Sequence, residues 1–141
     1  MRSFIGLIAM VALLATACKK DRPYNDSLVG TWKEVLSVDG LSGRAIPVTE
    51  DSARILDLKN DKTFEFRLHG TVIAFGVYDT LSKISVLSNA MAAFISFGQN
   101  SALQDLLGQT RTPLRYSIYK DTLSLSFDAY DAGGKVYKRL K

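Results

Sequence analysis

Few residues in this chain have the chemistry for a reaction. Among its 141 residues there is one cysteine, Cys18, and one histidine, His69. A lone thiol can neither close an intramolecular disulfide nor build a cysteine-based metal cluster. His69 falls among the polar members of an alternating stretch, which predicts a surface or turn-adjacent side chain. A serine triad would need that histidine, yet no Gly-x-Ser-x-Gly elbow occurs. Gly133-Gly134-Lys135 lacks the glycine spacing and the following Ser or Thr of a phosphate loop, and reads as a hairpin turn. The acids Asp57, Glu65, Asp79, Asp105, Asp121, Asp128 and Asp131 are scattered singly over separate elements, and Asp128 and Asp131 read as solvated turn acids. The expectation is a non-enzymatic protein with no metal and no cofactor.

Cys18 has a distinctive context. Arg2 precedes an uncharged, mostly apolar run from Phe4 to Ala17 that ends on the small residues Ala15-Thr16-Ala17, the pattern of an export signal. As a helix the run would be roughly 21 Å long, short of the ~30 Å hydrocarbon core, so a cleaved signal is favoured over a permanent span. The stretch Leu14-Ala15-Thr16-Ala17-Cys18 resembles a bacterial lipobox, with Ala15 where that family prefers Leu. The resemblance implies cleavage before Cys18 and acylation of its thiol, which would hold the protein at a membrane, on either face of the outer membrane in the cell envelope. An ordinary A-x-A cleavage, leaving a soluble secreted protein with a free N-terminal cysteine, is the alternative. Residues 19–27 are polar and without hydrophobic periodicity, as a tether is. The expected organisation is a signal peptide over 1–17, a lipidated tether over 18–27 and one domain over 28–141.

That domain is long enough to enclose a single core. Over the whole chain eighteen Lys and Arg against fourteen Asp and Glu leave a formal charge of +4, or +3 (seventeen against fourteen) once Arg2 is removed with the leader, too small and too scattered for a nucleic-acid surface. From Leu28 onward the dominant period is two. Phe64, Phe66 and Leu68 alternate with Glu65, Arg67 and His69, and Leu123, Leu125 and Phe127 alternate with Ser124, Ser126 and Asp128. Each such strand has one buried and one wet face. Short turn signals at Asn60-Asp61-Lys62, His69-Gly70, Tyr78-Asp79-Thr80, Lys120-Asp121 and Asp131 to Gly134 join antiparallel neighbours. Strands are expected near 29–38, 53–59, 63–69, 71–78, 83–88, 114–120, 122–129 and 135–140. Residues 89–112 break the rhythm and predict one or two short helices, with Ser101 opening a capping box and Gly108 as a stop. The fold class is therefore all-β: an antiparallel up-and-down meander of about eight strands, closed into a small barrel to remove exposed edges, with a short helical insertion.

Leu28-Val29-Gly30-Thr31-Trp32 carries a Gly-x-Trp on the first strand, Leu58 to Phe66 has the form of a hairpin, and Val136 to Leu140 that of a closing strand. Together these resemble the lipocalins, and more closely the lipocalin-like domains of Bacteroidetes lipoproteins. The resemblance implies that Trp32 packs at one end of the barrel beneath a basic side chain of a late strand, here Arg139, joining first and last strands.

Two functions follow. In the first, the barrel holds a small apolar or amphipathic molecule against Phe64, Phe66, Tyr116, Ile118, Leu125 and Phe127. In the second, those residues are a filled core and the protein is a structural or interaction lipoprotein that meets an envelope protein. The partners are then the membrane, through the anchor, with an apolar ligand or an envelope protein, and no nucleic acid.

Overall fold

The computed structural model describes residues 27–98, 103, 106, 107, 112–131 and 133–141. Cys18, the tether up to residue 26, Ser101 of the capping box and the expected stop Gly108 lie outside them. Among the described residues nine strands form one antiparallel sheet: β1 (Gly30–Val38), β2 (Ala45–Pro47), β3 (Ile55–Leu58), β4 (Thr63–Leu68), β5 (Thr71–Ile84), β6 (Met91–Phe97), β7 (Leu114–Tyr119), β8 (Thr122–Ser126) and β9 (Gly134–Arg139). Hydrogen bonding runs in the order β2-β1-β3-β4-β5-β6-β7-β8-β9, and β1 also pairs with β9. Eight strands thus close an up-and-down barrel, with β2 as an extra strand on β1. A 3-10 turn at Glu50–Ser52 precedes β3.

Three expectations need correction. Tyr78-Asp79-Thr80 is no turn, because β5 runs unbroken from Thr71 to Ile84. Tyr78 turns inward and is buried while Asp79 points to solvent, so a polar residue at the outward parity does not interrupt the strand. The strand expected at 83–88 is the end of β5 and the turn after it. Residues 91–97, expected as helix, are β6, paired with β5 from Tyr78↔Phe97 to Ile84↔Met91. Phe94 and Ile95 are both buried, and a strand covered on both faces loses the alternation that marks it. Farther on, Leu103, Leu106 and Leu107 are helical and buried in the core.

The tight turns use left-handed residues. His69 (φ 52°) and Gly70 (φ 78°) are the two central residues between Leu68 and Thr71, both with positive φ as a type I′ hairpin requires. The single histidine is thereby a turn residue exposed to solvent.

The far end of the β5–β6 hairpin is fastened to the β8–β9 connection. Asp128 accepts from Ser85 Oγ at 2.5 Å and from the Val86 amide at 2.9 Å. Asp128 is therefore a latch rather than a solvated turn acid. The Ser85 hydroxyl first, and then the Val86 amide, hold its carboxyl below the ordinary value of 3.8.

Closure at one end is a compact device. Trp32 and Arg139 are register partners on β1 and β9, with the guanidinium carbon 4.0 Å from the centroid of the Trp32 ring. Arg139 Nη1 donates to Val29 O at 2.9 Å and Nη2 to Ser27 O, while Trp32 Nε1 donates to Leu28 O at 2.9 Å. Gly30 explains the glycine of the Gly-x-Trp pair: its φ is +149°, and a Cβ there would lie 2.4 Å from Arg139 Nη1.

Two outcomes follow from these contacts. Gly30→Ala adds a Cβ at a strained φ and against the guanidinium, so it should cost about 1–3 kcal/mol of unfolding free energy in urea titration; an unchanged midpoint would contradict the closure. For Asp128, a lowered folded pKa means that its contribution is complete above the ordinary value of 3.8 and is lost as pH falls through the folded one. The Val86 amide resonance should therefore move in acid titration below that value in the wild type but not in Asp128→Asn.

Candidate functional site

Strand parity decides what enters the barrel. On β1, Trp32 and Glu34 are buried, and on β9 their register partners are Arg139 and Tyr137. A bulge after Glu34 shifts the register so that Leu36 faces Val136, which adds local twist. Arg54 enters from the residue before β3, where its carbonyl accepts the Glu34 amide at 2.8 Å.

These elements place a carboxylate inside the barrel. Glu34 is 2% exposed, and its Oε1 accepts from Lys135 Nζ at 2.6 Å. The Arg54 guanidinium is 3.7 Å from Oε2, an ion pair too long for a hydrogen bond. Glu34 Oε2 and the hydroxyl of Tyr137 are both buried and have no hydrogen-bond partner among the described residues. Burial, and then the charge of Glu34, push the Tyr137 hydroxyl well above its ordinary pKa, so it stays protonated. Two cations thus stand against one carboxylate.

Above this group opens a cleft of about 290 Å³, at the end of β1 and β9 away from Trp32. Arg54 and Lys135 supply its charges; Leu106, Leu107, Leu114, Leu125 and Phe127 supply its apolar wall; Ser37, Val38, Gly133 and Gly134 form the rest of the lining. Gly133 is needed there because a Cβ would lie 2.4 Å from the Val38 carbonyl oxygen.

The six residues expected to face a ligand divide. Leu125 and Phe127 line the cleft. Phe64 and Phe66 belong to the packed core, where both touch Phe97, with centroids at 4.9 and 6.0 Å. Tyr116 and Ile118 are partly buried and pack against that core. A second, open groove on the outer face of β4 and β5 runs past Val72, Phe75 and Val77.

The scattered acids have other partners. Asp57 accepts from Thr31 Oγ1 and Arg67, Asp79 from the Thr80 amide, and Glu65 from Lys59 and Arg67. The Lys59 hydrogen bond is the largest cause holding the Glu65 carboxyl low. These pairs are only partly buried and are screened by solvent, so they contribute little to stability. Asp105 lies outside the described residues. Among the described residues no three His, Cys, Asp or Glu side chains gather as a metal site.

Glu34, Arg54 and Tyr137 are not among the candidate site residues of the sequence, where Lys135 stands only as a turn residue, although a signal exists. Glu34 is two residues from Trp32, hence on the same inward face, and Lys135, Tyr137 and Arg139 share one parity.

Comparison of the chain with protein-family models, curated proteins and solved structures finds no match in any of the three. The closed eight-stranded antiparallel barrel is consistent with a lipocalin-like fold.

Lys135→Met would leave Glu34 buried without its hydrogen-bonded cation. It should lower the unfolding free energy by about 3 kcal/mol in urea titration, whereas Glu34→Leu/Lys135→Met should recover most of that loss. Equal losses in both variants would mean that the pair is not what the site depends on.

Proposed function

We propose that this protein is a lipocalin-like lipoprotein of the Bacteroidetes type. Cut before Cys18 and acylated there, it stands at the outer membrane and holds a small amphipathic molecule without transforming it. The observation that carries the ligand half is the cleft, whose apolar wall of Leu114, Leu125 and Phe127 meets the charges of Arg54 and Lys135. Protein pockets for small molecules combine these features: mostly apolar lining with a few convergent polar groups. The volume of about 290 Å³ suits a short ligand. The location half is supported by the small residues and the lone cysteine at the end of the apolar leader. The Trp32–Arg139 stack at the closed end supports the lipocalin likeness.

A structural or protein-interaction lipoprotein is the second reading. It is favoured by the aromatic trio Phe64, Phe66 and Phe97 and by Leu103, which fill the interior with the protein's own side chains.

Protein purified from its native membrane, extracted with organic solvent and analysed by mass spectrometry, should release a stoichiometric amphiphile besides the Cys18 acyl chains. Phe127→Asp should abolish its retention. Cys18→Ser should move the protein from the membrane to the soluble fraction with the barrel still folded, since one acyl chain is marginal and two or more hold firmly. A barrel that carries nothing, joined by cross-linking to an envelope protein in the native membrane, would favour the second reading.

A further inference from the structure

The cleft has a charge imbalance that selects among amphiphiles. Lys135 spends one hydrogen bond on Glu34 Oε1, while the Arg54 guanidinium makes its ion pair at 3.7 Å and donates no hydrogen bond among the described residues. Both cations line the cleft, whereas Glu34 lies beneath it, 2% exposed. An entering group therefore meets the cations before the acid.

We propose that Arg54, with Lys135 beside it, forms an anion-binding end of the cleft. It takes the oxyanion head of a short amphiphile whose chain lies on Leu114, Leu125 and Phe127. This rests on the cleft being the binding site. The planar guanidinium can offer two parallel N–H groups to one oxyanion, the geometry that makes such pairs strong. Apolar walls on the other side displace part of the surrounding water, which strengthens the attraction relative to a flat surface. Glu34 opposes the ligand charge but holds both cations in place; it is a positioning residue whose own charge weakens binding.

Calorimetric titration of the full protein with octanoate, 1-octanol, octylamine and inorganic phosphate tests this. Octanoate should bind about tenfold or more tightly than 1-octanol, as a charge-assisted hydrogen bond implies. Octylamine should bind more weakly than 1-octanol, and phosphate, with charge but no chain, more weakly than octanoate. Arg54→Gln should remove the preference, bringing the affinity for octanoate down to that for 1-octanol. Glu34→Gln, which keeps an acceptor for Lys135, should tighten octanoate binding. Equal affinities for octanoate and 1-octanol, or a preference that survives Arg54→Gln, would overturn the anion end while the cleft stands as a binding site. Phosphate binding as tightly as octanoate would overturn the chain's place on the apolar wall. If none of the four binds, the cleft reading falls and the anion end with it.

Discussion

The barrel depends on closure of its first strand against its last. An open eight-stranded sheet would present two edges of unpaired N–H and C=O groups; pairing β1 with β9 satisfies both. Arg139 does more than join a ladder. Its guanidinium lies on Trp32 and reaches the carbonyls of Val29 and Ser27, so it ties the segment entering β1 to the strand that ends the chain. These contacts need a residue without Cβ at position 30. One aromatic ring, one guanidinium and one glycine seal this end.

The two ends of β1 and β9 consequently differ. Near Trp32 the interior holds large buried side chains, with Phe64 and Phe97 in edge-to-face contact. Toward Val38 and Gly134 the inward positions carry Glu34 and Lys135 instead, and charged groups cannot close-pack as rings do. The leucines of the 103–107 region cover part of this end. The remaining space is the cleft, bounded by charge on one side and by Leu125 and Phe127 on the other. Burial of a carboxylate is tolerated because two cations face it.

Much of the barrel was legible in the chain. β3, β4, β7, β8 and β9 each have one wet face, so their side chains alternate visibly and their positions follow from the alternation, although β8 stops at Ser126, short of the expected 129. Where that condition fails, the strand is not legible in the residue order. β6 is covered at both Phe94 and Ile95 and resembles a helical run of small and apolar residues. β5 continues through Asp79 and Thr80 because long-range pairing to β6, not local polarity, determines where it ends. The three residues of β2 are all exposed and add to β1 by backbone bonding alone, which leaves no hydrophobic signature.

Period-two patterning and a residue count are local properties, so the order of residues already contains the all-β class, the meander and the closing strand, and one cysteine cannot close an intramolecular disulfide. Which inward residues become neighbours is set by packing in three dimensions. Glu34, Arg54 and Lys135 lie on different elements, and their meeting depends on the β1–β9 register and a bulge after Glu34. The same holds for Leu125 and Phe127, which share a parity with the core yet border a cleft. Alternation says that a side chain points inward; the packing of every other strand decides whether it meets another side chain or open space.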